Sequence, residues 1–448
     1  MCSLPGLATA LILAAFVTAS PAQELRIGTS FVGSTFGVDS GVFPPDTNGA
    51  VGKRHIVELL NGHYAAYRKN DGSRVASSSL DQFWIDGGVT PRGFVVDSRV
   101  LFDPAANRWY ASSFSINFGN GPDDLLFAVS RDDDPTQGWS AFSVPFAGPV
   151  GTFADFPTLG FNSDGVFVFT NGSVLVVPKA DVLASQPTLA RASLVQSRDL
   201  LTPAGGKIQP AVNLDNSAAA LLLGTWDVEG SVMRIWRLSG GPVTPVLVPD
   251  AVFVNLTPYP LLGPAGALQP ESGIGIFPSS PFLATSVVLR NGLLWGVQTV
   301  ANLGRAALRW FVIDPATNTR LQEGLISDGT HDFFMGSLAV NGCGDVVIGF
   351  NRSGTDQFVS VYAVAGTTQG NVTTFGEPIL LRAGVARYEL TGGATAARWG
   401  DYSATVADPQ HVGTFWTFQE WPSAPNVWST QVTELRLHRG GGGGSCRS

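Results

Sequence analysis

A repeated pattern of short strands runs through most of the chain. In each copy a polar residue opens a short apolar strand, a tight turn follows, and a second strand rich in apolar and aromatic residues comes next. The two clearest copies span residues 97–112 and 401–418, and both turn at Asp-Pro. Because self-similarity along a chain is typical of repeat architectures, this pattern limits the fold more than any other feature.

Weaker copies begin at Asp46, Asp155, Gln209 and Gly336, and a seventh fits between residues 283 and 313. Each unit has room for a third strand and often a fourth. Four short antiparallel strands per unit are the pattern of a propeller blade. We therefore predict an all-β fold, a single β-propeller of about seven four-stranded blades over residues 23–439, with six or eight blades as alternatives.

Ring closure protects the edges of such sheets, because an open sheet exposes unpaired backbone groups. The last blade, ending near Leu437, should be sealed by a strand from the start of the propeller. Two segments are candidates for that closing strand, namely residues 31–38 and residues 55–67.

Composition agrees with many short strands joined by turns. Of 448 residues, 44% are hydrophobic and only 14% charged, with 53 Gly and 29 Pro. The net charge of −8 and the lack of a Lys/Arg run argue against nucleic-acid and anionic-membrane partners. Cys2, Cys343 and Cys446 show no metal-binding spacing, and pairing of Cys343 with Cys446 is left open.

The two ends of the chain differ from the rest. Residues 1–22 have the apolar stretch and small residues of a signal peptide, and no later segment is typical of a membrane span. Residues 440–448 form a Gly-rich, low-complexity tail that we expect to be disordered. We expect a monomer that is secreted, periplasmic or displayed at the cell surface.

The polar residues that open the repeats are the main site candidates. In a propeller the first strand of each blade lines the central channel, so Asp46, Asp97, Asp155 and Asp401 should converge at one end of it. Converging carboxylates repel unless they share a proton, meet an arginine or bind a cation. These four residues are therefore also the candidate metal ligands, with calcium as the cation that suits them. The alternative is that each Asp accepts backbone hydrogen bonds in a turn.

The sequence contains no nucleophile elbow, zinc-protease motif or phosphate-binding loop. A carboxylate pair beside exposed tryptophans could instead act on glycans. The catalytic candidates are Asp46, Asp97, Asp155, Asp401 and Glu420. The ligand-binding candidates are His63, Trp226, Arg352, Trp399 and Trp421. For the tryptophans the alternative is packing between blades, and for His63 it is a plain surface role.

Two motifs resemble a group of exported bacterial proteins with a sialidase-like propeller. They are PPDTNGAVG at residues 44–52 and RWGDYS at residues 398–403. The resemblance implies the propeller fold and export. A sialidase-type arginine triad could be drawn from Arg99, Arg352 and Arg398. The hairpin turns at residues 162–165 and 341–345 lack the trailing Trp of sialidase repeats, so the resemblance supports the architecture rather than that activity.

Three functions are consistent with these features. The first is a non-catalytic recognition or scaffold propeller that binds an extracellular glycan or another small ligand at the channel mouth. The second is a glycan-acting hydrolase or lyase that uses the axial carboxylates. The third is a metal-dependent hydrolase. No cofactor beyond calcium is suggested.

Overall fold

The computed structural model describes residues 24–119, 121–146, 155–203, 205, 207–260, 262, 266–279, 283 and 285–438. The signal-peptide and tail predictions, together with Cys2 and Cys446, lie outside the described residues. Cys343 is disulfide-bonded. Among the residues described, no helix is both long enough and apolar enough to cross a membrane.

The chain is almost entirely β. After a long first strand, the next eight strands form two four-stranded antiparallel sheets in simple up-and-down order. They are β1 (Glu24–Thr35), β2 (Gly49–Val51), β3 (His55–Leu60), β4 (His63–Arg68), β5 (Arg74–Ser79), β6 (Phe94–Asp103), β7 (Arg108–Ile116), β8 (Asp123–Ser130) and β9 (Trp139–Phe146).

The middle of the chain forms one five-stranded sheet and one nine-stranded sheet. The five-stranded sheet contains β14, β16, β17, β18 and β19, and the nine-stranded sheet takes the others of this group. The strands are β10 (Thr158–Phe161), β11 (Gly165–Thr170), β12 (Ser173–Pro178), β13 (Ser193–Gln196), β14 (Ile208–Pro210), β15 (Val212–Asn213), β16 (Ala220–Thr225), β17 (Val232–Ser239), β18 (Val246–Leu247), β19 (Val252–Asn255), β20 (Val288–Arg290), β21 (Leu293–Asn302), β22 (Arg305–Asp314) and β23 (Thr319–Ile326).

The last part of the chain adds a five-stranded sheet and a four-stranded sheet. The second of these contains the final three strands and β1. The strands are β24 (Asp332–Val340), β25 (Val346–Gly354), β26 (Gln357–Gln369), β27 (Val372–Phe375), β28 (Ile379–Arg382), β29 (Ala404–Ala407), β30 (Thr414–Ala424) and β31 (Val427–His438).

The sheets follow one another around a ring, and the ring is closed by the two ends of the described chain. β1 pairs antiparallel with β31, with Glu24 opposite His438 and Thr35 opposite Ser429. This pairing covers the outer edge of the last sheet. The first candidate for the closing strand was therefore placed several residues too late. The second was wrong, because residues 55–67 form the β3–β4 hairpin.

The arrangement is a β-propeller, but seven separate blades are not what the described residues show. Five sheets have the four or five strands of a blade, and the sixth has nine strands. Within the nine-stranded sheet, β10 and β20 both pair with β15 in parallel, and this short strand joins two antiparallel halves. The repeat that we placed at residues 283–313 corresponds to β20–β22.

In the part of the chain that the structure describes, two short α-helices and two 3₁₀ turns interrupt the strands. The helix α1 (Leu80–Asp86) is capped by Ser79, whose hydroxyl accepts from the backbone N–H of Gln82, and it buries Leu80, Phe83 and Trp84. The helix α2 (Lys179–Val182) follows β12, and the 3₁₀ turns are Pro135–Gln137 and Arg198–Leu200.

The core lies between neighbouring sheets rather than in one central mass. One cluster joins the β2–β5 and β6–β9 sheets through Trp84, Trp109 and Trp139, all of them buried. Another joins the β20–β23 and β24–β28 sheets through Trp295 and Phe350. Radial packing of this kind covers both faces of every sheet.

The first hairpin of several sheets turns on an Asp or Asn side chain, as the sequence predicted. Asp103 Oδ1 accepts from the backbone N–H groups of Ala105 and Ala106. Asp408 Oδ1 accepts in the same way two and three residues further on. Asp215 differs, since its carboxylate accepts from the backbone of the neighbouring β20–β21 hairpin. We call this end of the ring the hairpin face.

Candidate functional site

The opposite end of the ring, where the chain enters the first strand of each sheet, we call the hub face. The backbone there repeats one feature, a residue in the left-handed region. Asp46 has φ 49°, Asp97 φ 57°, Phe156 φ 55° and Met335 φ 54°. In β6 and β24 this residue coincides with a register shift against the next strand. Such bulges bend the strand and turn a side chain towards the axis.

A series of hydrogen bonds joins these entry points around the axis. Asp46 Oδ1 accepts from the backbone N–H of Asp401 at 2.9 Å, and its Oδ2 accepts from Asn61 Nδ2 at 2.7 Å. Asn61 Oδ1 in turn accepts from the backbone N–H of Asp97 at 2.8 Å. Asp97 Oδ2 accepts from the backbone N–H of Phe156 at 2.9 Å. We call Asp46, Asn61, Asp97 and Asp401 the hub.

The hub links four consecutive sheets of the ring. Asp401 precedes β29, Asp46 precedes β2, Asp97 lies in β6 and Phe156 precedes β10. Three of these hydrogen bonds join a side chain of one sheet to a backbone N–H of a neighbouring sheet. The fourth, from Asn61 to Asp46, joins two residues beside the β2–β5 sheet. A side chain that satisfies an otherwise unpaired backbone N–H stabilises the fold, because a buried unpaired donor is costly. The sequence prediction that Asp46, Asp97 and Asp401 converge agrees with this geometry.

Burial and mutual repulsion keep protons on the inner carboxyls. Burial raises the pKa of Asp46 well above its usual value, and the charges of Asp401 and Asp97 add to that rise. Burial also raises the pKa of Asp97 to about 6, with contributions from Asp155 and Asp401. The hydrogen bond from Phe156 N–H opposes the rise in part. These groups therefore hold protons at a pH where a free carboxylate has lost them.

The outer carboxylates are paired with cations instead. Asp401 lies 3.1 Å from the guanidinium of Arg398, and Asp155 lies 2.7 Å from Nζ of Lys207. Both acidic side chains are more exposed than those of Asp46 and Asp97. The site thus combines inner carboxyls of raised pKa with ion pairs at its rim.

Glu420 lies beside the hub without joining its hydrogen bonds. It is buried in β30, and neither of its carboxyl oxygens has a hydrogen-bond partner. Burial raises its pKa well above the usual value, and Asp46 and Asp401 contribute. A Cβ added at Gly400 would lie 2.5 Å from Glu420 Oε1, so this glycine makes room for the carboxyl group. The surroundings of Glu420, next to the hub, therefore favour the protonated form of its carboxyl group.

Two tyrosines and one arginine complete the surroundings, and sequence reasoning did not select the tyrosines. The hydroxyls of Tyr388 and Tyr402 are buried without hydrogen-bond partners. The guanidinium of Arg99 lies 3.3 Å from the ring centre of Tyr402, and its Nε donates to the Pro157 carbonyl at 3.2 Å. Tyr402 lies in the RWGDYS motif, which was a usable signal, whereas nothing in the sequence pointed to Tyr388.

The arginine triad suggested by the sialidase resemblance is not assembled. Arg99 and Arg398 both lie near the hub, and the charges of the acidic hub residues contribute to the pKa of each. Arg352 instead pairs within its own sheet, where Nε donates to Gln357 at 2.9 Å and Nη2 donates to the Tyr362 hydroxyl at 2.7 Å.

The hub lacks the donor geometry of a metal centre. Across the described ranges, no group of three or more His, Cys, Asp or Glu side chains is arranged to hold a metal ion. The proposed ligands Asp46, Asp97, Asp155 and Asp401 direct their oxygens to backbone groups, Asn61, Lys207 and Arg398. In this geometry the negative charges are balanced by Lys207 and Arg398, and calcium binding stays a prediction.

The five predicted ligand-binding residues are not brought together on one surface. Trp399 is fully buried beside the hub, where Nε1 donates to Asn351 Oδ1 at 3.0 Å. Trp421 lies under the guanidinium of Arg382, 4.1 Å from its ring centre. Trp226 packs edge-on against Phe253.

His63 is also buried, and its Nδ1 is 2.8 Å from the Ser34 hydroxyl. With Arg352 bound in its own sheet, all five side chains have packing or hydrogen-bonding roles. The alternative of packing between blades, weighed for the tryptophans, describes their positions better than stacking on sugar rings.

A cavity of about 240 Å³ extends along the axis below the hub. Its wall consists mainly of first-strand side chains from several sheets, and most of these are apolar. At the hub end it is bounded by the buried residues Asn48, Ser337 and Ser403. At the hairpin face the exposed residues Pro104 and Gln410 border it. We call this cavity the axial channel; its closed end lies at these three buried residues, and it opens at the hairpin face.

Comparison with known proteins finds only distant structural similarity. No protein-family model matches the chain, and no curated protein matches it in sequence. Among solved structures it is similar to the extracellular domains 1–2 of Drosophila semaphorin 1b, with TM-score 0.42 and 8% identity over 92% of this chain and 87% of that one.

It is also similar to Trypanosoma rangeli sialidase in complex with the inhibitor DANA, with TM-score 0.39 and 10% identity over 93% of this chain and 60% of that one. A third similar structure is Kuenenia stuttgartiensis hydrazine synthase, with TM-score 0.37 and 12% identity over 71% and 72% of the two chains. At this level of similarity none of them indicates a ligand or a reaction.

Proposed function

We propose that this protein is an exported, non-catalytic propeller that serves as a recognition scaffold. The observation that supports this most is the use of the axial carboxylates. Asp46 uses both oxygens, and Asp97 one, to accept hydrogen bonds that tie neighbouring sheets together. A catalytic acid or base must instead be within hydrogen-bond reach of a substrate. The acidic residues at the axis thus stabilise the ring, and the axial channel is the surface we propose for ligand binding.

The scaffold would consist of seven blades if the nine-stranded sheet counts as two. Its halves β10–β13 and β20–β23 each have four antiparallel strands, and β15 joins them by parallel pairing. Propellers are commonly built from four-stranded blades, so we propose this division. A crystal structure in which β10–β13 and β20–β23 form two separate sheets would support this division. A structure in which β15 joins them into one continuous sheet would contradict it.

A glycan-acting hydrolase is the second candidate, and one observation favours it. The pKa of Asp97 is raised to about 6, and burial raises the pKa of Glu420, whose carboxyl oxygens have no hydrogen-bond partner. Raised carboxyl pKa values are typical of general acids in glycoside hydrolysis. The distinction is whether these acids face a substrate or only each other.

Turnover measurements on an Asp97→Asn/Asp401→Asn double variant distinguish the two. The wild type and the variant would be incubated with a panel of reducing-end-labelled glycans at about pH 5 and about pH 7. The scaffold role predicts no product from either protein. Product from the wild type that disappears in the folded double variant would contradict the scaffold role and support the hydrolase.

A further inference from the structure

The axial channel has a wall that suits an apolar ligand. The side chains that line it include Val51, Leu101, Val212, Val288, Leu338 and Val406. The polar groups at its closed end are already used within the protein. Asn48 Oδ1 accepts from the backbone N–H of Val100 at 2.8 Å, and the Ser403 hydroxyl donates to the Met335 carbonyl at 2.7 Å. A ligand reaching that end would therefore place an apolar group there.

Arg290 supplies a positive charge at the open end. It ends β20 at the hairpin face and lines the channel. Its Nη1 donates to the Leu214 carbonyl, while its Nε is buried without a hydrogen-bond partner. The other ionisable group in the wall, Asp408, is paired with Nζ of Lys69 at 2.7 Å. The guanidinium of Arg290 thus keeps unused donor capacity beside an apolar cavity, and arginine is always charged.

We propose that the axial channel binds a small amphipathic carboxylic acid, with the apolar chain inside the channel and the carboxylate at Arg290. This proposal rests on the recognition role and specifies its ligand class. A cavity of about 150 Å³ accommodates one benzene, so 240 Å³ has room for on the order of ten non-hydrogen atoms. Paired charge-assisted hydrogen bonds would fix the head group, because guanidinium and carboxylate match in geometry.

Calorimetric titration of the whole mature protein tests this with two probes of equal chain length. Decanoate carries the carboxylate, and decanol lacks it. We expect decanoate to bind at least roughly tenfold more tightly than decanol, because its carboxylate adds charge-assisted hydrogen bonds to Arg290. Failure of the wild type to bind either probe would overturn the proposal.

Substitutions separate the roles of charge and cavity. Arg290→Gln should weaken decanoate binding about tenfold, to the level of decanol, and leave decanol binding unchanged. Arg108→Gln is the matched control, because Arg108 also donates to a backbone carbonyl at a hairpin but does not line the channel. Val406→Trp should abolish binding of both probes, because Val406 is a half-buried side chain of the channel wall.

Retained decanol binding shows that the Arg290→Gln protein keeps its channel, so misfolding is not mistaken for loss of the charge. Equal decanoate affinity in Arg290→Gln and wild type would overturn the assignment of the head group. Binding of decanoate that survives Val406→Trp would overturn the location. Glycan turnover that depends on Asp97 would contradict the scaffold role and leave these titrations unaffected, so the two failures can be told apart.

Discussion

The backbone N–H of Asp401 donates to Oδ1 of Asp46 at 2.9 Å, although the two residues are separated by 355 positions in the chain. This bond joins the last sheet to the sheet formed by β2–β5, at the axis. The β1–β31 pairing closes the ring at its outer rim. Residues that are distant in sequence therefore close the ring at two places, at the axis and at the outer rim. The two contacts can be tested separately.

Removing the Asp46 carboxylate should destabilise the whole ring. Asp46→Ala leaves the backbone N–H of Asp401 and one N–H of the Asn61 amide without an acceptor, while the Asn61 amide keeps its bond to the Pro44 carbonyl. At about 1–3 kcal/mol for each buried donor, the free energy of unfolding should fall by roughly 2–6 kcal/mol. Urea unfolding followed by tryptophan fluorescence measures this. Asp250→Ala, at an exposed side chain, is the control and should change it by less than about 0.5 kcal/mol.

Asp97 should make stability depend on pH. Its pKa is about 6 in the folded protein against an ordinary 3.8. Between these values the folded state holds a proton that the unfolded state has lost, so the free energy of unfolding falls as the pH rises through this window. The full effect is about 3 kcal/mol at 1.36 kcal/mol per pKa unit. Asp97→Asn should flatten the part of the pH profile that lies below about pH 6.

The contrast for that measurement is Asp314→Asn. Hydrogen bonding to Thr317 lowers the pKa of Asp314, so it contributes a slope of the opposite sign. Unfolding midpoints in urea, taken from about pH 2.5 to about pH 7, give the profiles, because the Asp314 slope lies below the ordinary pKa of 3.8 and the Asp97 slope above it. A profile of Asp97→Asn that coincides with wild type would contradict the assignment of a proton to this carboxyl.

Glu420 should be replaceable by an apolar residue at no loss of stability. Its oxygens have no hydrogen-bond partner, so Glu420→Met removes an unsatisfied buried polar group and should stabilise the fold by about 1–2 kcal/mol. Glu58 is the matched case, because its Oε2 accepts from Ser34 and Tyr67. Glu58→Met should destabilise by roughly 2–4 kcal/mol. A destabilised Glu420→Met protein would indicate a bound water or ligand at this carboxyl.

Deleting residues 24–35 should remove the β1–β31 pairing that closes the ring at its outer rim. Without β1, the strand β31 becomes an exposed edge with unpaired backbone groups, which is a template for pairing with another chain. We expect a lower melting temperature and concentration-dependent association in size-exclusion chromatography. A monomeric deletion protein with unchanged melting would show that β1 contributes little.

The sequence predicted the architecture from the repeat, because each copy carries its own turn chemistry. Asp103 and Asp408 form the turns that their Asp-Pro pairs predicted. The helix α1 was missed although Ser79 and the spacing of Leu80, Phe83 and Trp84 carried the signal. The nine-stranded sheet could not be anticipated, because β15 has only two residues and pairs with strands distant in the chain.

The site was harder to predict, because the sequence gives positions but not the partners of a side chain. Asp46 and Asp97 were placed at the axis, yet their oxygens bind Asn61 and Phe156 N–H rather than a cation or substrate. Trp226 and Trp421 belong to the residue type that stacks on sugar rings, but in the structure Trp226 contacts Phe253 and Trp421 contacts Arg382. Which role an aromatic side chain takes depends on contacts between blades, and these are set by the ring as a whole.

The most direct test of the hub is a high-resolution crystal structure of the mature protein grown with calcium chloride and a glycan fragment present. The account predicts that Asp46 Oδ1 stays within hydrogen-bond distance of Asp401 N–H, that Asp97 Oδ2 stays on Phe156 N–H, and that no ion or sugar contacts either carboxyl group. A calcium ion or a sugar hydroxyl bound to these oxygens would contradict it.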